Sequence, residues 1–217
     1  MASEVSIFNR ALTKLGASTV LLRTDNTAQA RVLNLIYEDT RDAELRSHRW
    51  KFAIKRTTLV ALVEAPTWGY AYQYPLPPDY LGMVQVNEFY VRTGTKQRAP
   101  WSVESGKILT ELPAPLQLRY ISRITDTSQF DPLFVDALAC RLAMEACEAI
   151  TQSDTKFNRV AQMYQRAIDE ALRVDSIENP PDELPYGTWL GSREGASDFV
   201  VGPDGIAVQL PSGIEVL

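Results

Sequence analysis

The amino-acid sequence predicts an α+β fold. Its parts are a four-helix bundle from residues 1–49 and 126–177, a small antiparallel β-domain inserted at 50–125, and an extended C-terminal arm at 178–217. Three observations predict it. Apolar residues recur at helical spacing in two stretches before the insertion and two after it. Between them the period falls to two, punctuated by turn residues. Beyond Glu178 prolines and glycines come too often for any long element.

Ser3 is a helix N-cap, followed by Val5, Phe8, Leu12 and Leu15 at helical intervals, with Gly16 as the stop. A short apolar piece, Thr19 to Leu22, leads to the cap cluster Thr24-Asp25-Asn26. From Thr27 the chain runs without Gly or Pro to His48. Ala28, Val32, Leu35, Ile36 and Ala43 form the expected inward stripe. Glu38, Asp39, Arg41, Asp42, Glu44 and Arg46 then read as a solvated or subunit-facing surface.

In the middle, Trp50 to Val63 is rich in β-formers and predicts a strand, which Ala65-Pro66 breaks. Tyr70, Tyr72 and Tyr74 alternate, which in a strand places three rings on one face. Leu81 to Val91, Trp101 to Thr110 and Gln117 to Ile124 read as further strands, with turns at Thr93-Gly94 and Ser105-Gly106.

Asp131-Pro132 opens the third helix with a side-chain acceptor followed by a ring already set near helical φ. Val135, Leu138, Ala139, Leu142, Ala146 and Ile150 make its stripe. Ser153-Asp154 caps the fourth, whose stripe is Phe157, Val160, Ala161, Tyr164, Ile168, Ala171 and Leu172. The short link between them predicts an antiparallel pair. Isolated helices of this size are marginal, so the first two helices must supply the packing partner.

The segment from Glu178 combines turn residues with anchors too apolar for a solvated linker. Trp189, Leu190, Phe199, Val201, Ile206 and Val208 are the expected contacts with a partner protein, made by laying an extended chain along it. Gly202-Pro203-Asp204-Gly205 between Val200-Val201 and Val208 is a hairpin signal rather than a phosphate loop.

Composition narrows the function. An apolar share of 45% supports a packed core, and no apolar run is long enough to cross a bilayer. Met1 to Ala11 lacks the pattern of a secretory leader, so a cytosolic place of assembly is expected. The net charge is −5, and the segment from Glu178 carries seven acids against Arg193 alone. The body is therefore nearly balanced, with no basic face to advertise tight DNA binding. Cys140 and Cys147 are seven positions apart on one helix, roughly 10 Å by helical rise, too far to bridge.

Few residues suggest chemistry. His48, Arg49 and Trp50 close the second helix, as a cationic turn complementing the helix dipole and an aromatic anchor between bundle and sheet. Tyr70, Tyr72, Tyr74 and Tyr80 are read as sheet packing before base or sugar stacking. Asp39, Asp42 and Glu44 offer carboxylates but no cleft around them.

The segment AELRSHRWKFAIKRTTL, Ala43 to Leu59, resembles one in tail tubular protein A, the head-to-tail adaptor family of short-tailed, T7-like bacteriophages. FNRALTKLGAS, TDNTAQAR, YQYPLPPDYL and RYISRITDTSQFDPLFVDALACRLA agree in order, so the likeness spans roughly residues 4 to 175. The resemblance implies a structural virion protein with no enzymatic activity and no cofactor or metal. It implies a homo-oligomeric ring, a dodecamer, between the portal protein and the tail nozzle protein. Genomic DNA would pass through that ring without sequence recognition, and no membrane would be involved. The location implied is the virion tail, assembled in the host cytoplasm. Two other readings compete. A glycan-degrading tail hydrolase needs a pocket with two acids about 5 to 10 Å apart, one with a raised pKa. A nucleic-acid-binding module needs Lys51, Lys55, Arg56, Arg92, Lys96 and Arg98 on one face.

Overall fold

The computed structural model describes residues 3–87, 89–90, 101–177, 199–201 and 207–209. The chain divides into two compact units, 1–175 and 176–217. The first is α+β, with helices on either side in sequence of a block of antiparallel strands.

Helix α1 spans Glu4–Leu15, α2 Ala28–Ser47, α3 Pro132–Thr151 and α4 Asp154–Ile177. Their ends follow local chemistry. The Ser3 hydroxyl accepts from the Ser6 amide in a capping box, and Gly16 closes α1 at φ 65°. Thr27 caps α2 through the Ala30 amide, and Asp131 caps α3 through the amides of Leu133 and Phe134. Lys156 Nζ donates to Leu15 O over 2.9 Å, satisfying a carbonyl at the end of α1.

Helix α3 is the axis of this part, packing on both α1 and α2 and burying ten of its residues. Val160, Ile168 and Ala171 of α4 enter the same core. Cys140 and Cys147 are free, buried thiols, Cys147 within this core. The inward face of α2 differs from the expected stripe. Ala30, Leu33, Tyr37, Thr40, Arg41, Glu44 and Leu45 are buried, whereas Leu35 is 82% exposed and Ala28 and Ala43 face solvent. Val32 and Ile36 of the expected stripe still pack half-buried against the core, but the fully buried face is that of Leu33, Tyr37 and Leu45, with Arg41 and Glu44 carried inward beside them.

The strands form two sheets, not one. Strands β1 (Ile54–Leu59), β3 (Tyr80–Val86), β4 (Phe89–Tyr90) and β7 (Leu116–Ser122) make the first, in the order β1-β7-β3-β4. Strands β2 (Tyr72–Pro75), β5 (Trp101–Glu104) and β6 (Lys107–Thr110) make the second, in the order β2-β6-β5. Positive φ at Ser105 (48°) and Gly106 (73°) gives the tight primed turn between β5 and β6. A second core joins the sheets, with Leu59, Val86, Leu116, Leu118 and Tyr120 from the first against Tyr74 and Ile108 from the second.

Two expected strands are shorter than read. A 3₁₀ turn, Lys51–Ala53, precedes β1, so the strand begins at Ile54. Of the tyrosine row, Tyr70 precedes β2, Tyr72 is exposed at its start, and Tyr74 is sealed between the sheets. In the second unit, strands β8 (Phe199–Val201) and β9 (Ala207–Gln209) pair antiparallel with Val200 opposite Val208. Val208 therefore shares a ladder position with Val200, not with Phe199 or Val201. The expected turn at 93–94 lies outside the described residues.

Candidate functional site

Three places carry unusual chemistry: the junction after α2, the open face of the first sheet, and two exposed apolar surfaces.

At the junction, His48 is the C-cap of α2 in extended conformation and meets Trp50 edge-on at 5.6 Å. Trp50 is buried, and its Nε1–H donates to Glu44 O over 3.0 Å. Phe134 is the hub of the cluster, with centroids 5.1 Å from Trp50, 5.0 Å from Phe52 and 5.1 Å from Phe130. The indole thus ties the end of α2 to the start of α3 and to the turn leading into β1. Arg49, next in sequence, is exposed.

Beneath this cluster lies a buried ionic knot. The Glu44 side chain is 0% exposed, and its carboxylate accepts from the Tyr164 hydroxyl at 3.0 Å and lies 3.3 Å from Arg141 Nη1. Arg141 also pairs with Glu145, whose other oxygen accepts from Thr40 Oγ1 at 2.7 Å. Burial lifts the Glu44 carboxyl above its ordinary range, against the pull of Tyr164 and Arg141. Glu44 and Arg41, expected on a solvated or subunit-facing surface, are both buried in the subunit itself. The available signal was Arg141, a lone base in an otherwise apolar stretch of α3, which demands a partner. On the same helix as Glu44, Tyr37 has a buried hydroxyl without a hydrogen-bond partner among the described residues, and burial pushes its pKa up to about 12.

Two hollows open on the sheets. One, about 380 Å³, lies on the first sheet and is lined by Arg56, Thr58, Gln85, Asn87, Gln117 and Arg119 among others. Register makes Arg119 the cross-strand partner of both Arg56 and Gln85. The other, about 330 Å³, lies between the loop after β1 and the β5–β6 turn, with Glu64, Trp68, Tyr70, Gln73, Glu104 and Lys107 in its lining. Glu44, the carboxylate with the raised pKa, lines neither. Asp42 is engaged by Arg41 and Arg123, and Asp39 is exposed. Among the described residues no three His, Cys, Asp or Glu side chains group as metal ligands, and no helix is long and apolar enough to cross a membrane.

The basic set expected of a nucleic-acid module is divided. Lys55 Nζ pairs with Asp79 at 2.8 Å, and Tyr120 donates to the same carboxylate at 2.9 Å. Arg56 is one residue on and so projects from the opposite face of β1. Arg92, Lys96 and Arg98 lie outside the described residues, as do Trp189, Leu190 and Ile206. Phe199, Val201 and Val208 are placed in the β8–β9 hairpin by backbone alone.

Tyr72, Val103, Phe157 and Ile177 are exposed singly elsewhere, and two further groups of exposed apolar residues lie close in sequence. Leu21, Leu22 and Leu35 belong to the α1–α2 loop and the outer face of α2. Val60, Val63 and Trp68, the last 85% exposed, lie in the loop between β1 and β2. No protein-family model matches this chain, and no curated protein matches it.

Proposed function

We propose that the protein is a structural subunit of a head-to-tail adaptor ring. In this reading the four helices act as one bundle and the segment from Glu178 is an extended arm. The ring, twelve copies by the resemblance, sits between a portal protein and a tail nozzle protein in the virion, and genomic DNA passes through it without sequence recognition. Its work is carried by interfaces, with no reaction and no cofactor.

The observation that supports this best is the pair of exposed apolar surfaces, Leu21–Leu22–Leu35 and Val60–Val63–Trp68. Apolar side chains this open are costly in water unless another surface covers them. A ring needs a heterologous contact, in which one patch of a subunit meets a different patch of the next. Two dissimilar apolar surfaces on different elements suit that requirement. The near-neutral body and acidic arm also suit a channel that must let a duplex slide.

The test is the mass of the assembled particle. Native mass measurement of the full chain, alone and mixed with its portal protein, is expected to give a ring that docks on the portal. Val63→Asp with Leu35→Asp is expected to leave folded monomers. Deleting residues 178–217 is expected to leave a folded body that no longer docks. A wild-type protein that stays monomeric with and without the portal would refute the reading.

A further inference from the structure

The open face of the first sheet carries a feature that an interface role leaves unexplained. Arg56, Arg119 and Gln85 are successive cross-strand partners on β1, β7 and β3. Cross-strand partners stand about 4.5–5.5 Å apart at Cβ, close enough for like charges to repel. Several other cations of the body meet acids: Lys14 with Asp136, Arg23 with Glu4, Lys55 with Asp79, Arg123 with Asp42 and Arg141 with Glu44. Among the described residues neither Arg56 nor Arg119 meets a carboxylate, and the hollow they line contains no acid. The Nε–H of Arg119 is buried and finds no acceptor among the described residues. A buried charged donor without an acceptor is costly, and Arg56, exposed on the neighbouring strand, sets a like charge beside it.

We propose that the Arg56–Arg119 pair is a binding site for the phosphate group of a phosphate ester. Two guanidinium forks on adjacent strands present donors in more than one plane, which suits a tetrahedral anion with three or four oxygens. A carboxylate is filled by one fork. Thr58, Gln85, Asn87 and Gln117 ring the hollow with uncharged polar groups suited to the remainder of the ester. Asn87, at φ 48°, is fixed there by the Gln117 amide on its Oδ1 (2.8 Å) and the Gln85 side-chain amide on its carbonyl (2.7 Å). The volume of about 380 Å³ takes one nucleotide-sized group. A free nucleotide and a phosphodiester backbone share this chemistry. With only two cations to neutralise phosphates, duplex binding would weaken with salt at a log–log slope of about 2. The site stands apart from the ring reading, since neither requires the other.

The test titrates the full-length protein with inorganic phosphate, a nucleoside monophosphate, a short DNA duplex, and acetate and an acidic peptide as the carboxylate controls. Binding is read by calorimetry and by the NMR signal of the Arg119 Nε–H. Phosphate or nucleotide is expected to shift that signal and raise Tm, with acetate at least tenfold weaker. Arg119→Gln and Arg119→Lys are each expected to weaken binding at least tenfold. Without ligand, Arg119→Gln should fold with an equal or higher Tm, because the like-charge contact is gone. Lys55→Gln, on the opposite face, should bind as wild type. Saturation by the mononucleotide marks a small-molecule pocket, and tighter binding of the duplex than of phosphate or mononucleotide marks a backbone contact. Equal affinity for acetate, preference for an acidic peptide, unchanged binding by Arg56→Gln/Arg119→Gln, or no phosphate binding to wild type would each overturn the proposal.

Discussion

The helical part and the sheet part treat charge in opposite ways. Among the helices, Glu44 is taken wholly out of water, yet Tyr164, Arg141 and, through Arg141, Glu145 close a network around it. On the first sheet, Arg119 keeps a buried N–H that no described residue accepts, beside a second arginine. A closed network rigidifies a fold. An open one is either a defect or a place kept for something else. The Arg56–Arg119 hollow falls in the second class because the polar groups around it are themselves held in place.

The comparison can be broken most severely at the point that joins the two parts. Trp50→Ala should cost about 3–5 kcal/mol, since it empties the centre of the aromatic cluster and removes the bond to Glu44 O. Urea unfolding would read this directly, and a loss under about 1 kcal/mol would mean that the junction is not what ties helices to sheet.

Next is Arg141→Ala, which leaves Glu44 buried with Tyr164 alone. At neutral pH it should cost about 1.5–3 kcal/mol. The sign of the pH effect follows from the raised pKa of Glu44. Above the unfolded carboxyl pKa the native state holds a proton that the unfolded chain has released, so stability falls as pH rises towards the native pKa. Losing Arg141 raises that pKa further and widens the window. The deficit of the variant should therefore grow from pH 4.5 to neutrality. A pH-independent deficit would show that Glu44 is not charged in the native protein at neutral pH.

Tyr37→Phe should move the other way. Removing a buried hydroxyl that has no partner among the described residues should raise stability by about 1 kcal/mol. A comparable loss in thermal unfolding would mean that the hydroxyl is satisfied after all. Smallest is Trp68→Ser on the exposed loop, which should change monomer stability by less than about 0.5 kcal/mol. The same variant is expected to impair ring assembly, so stability and particle mass should separate.

Much of this architecture is written in short spans of sequence. Ser3, Gly16, Thr27 and Asp131 end or begin helices because each satisfies backbone groups within three or four positions. Ser105-Gly106 turns because those two residues tolerate positive φ in sequence. The inward face of α2 was less legible, because its apolar residues are spread around the helix. Leu35 reads as core until Tyr37 packs edge-on against Phe8 at 5.3 Å and claims the opposite phase. The inward turn of Glu44 was not legible at all from its neighbours, since Arg141 and Tyr164 are 97 and 120 residues away.

The polar hollow stands between these cases. Gln117 and Arg119 alternate visibly with Leu116, Leu118 and Tyr120, so one face of that strand is marked as polar from the sequence alone. That the partner of Arg119 is a second arginine depends on the register of β1 against β7, set by cores on both faces of the sheet.

By itself, then, the order of residues determined where helices start and stop, where the strands turn, and that the chain is α+β. Only the tertiary structure decided that there are two sheets, which face of α2 is buried, and which charges meet. The physical reason is range. Caps and turns close hydrogen bonds within a few residues, whereas helix phase, strand register and ion pairing are fixed by partners dozens of positions away that meet only once the cores have formed.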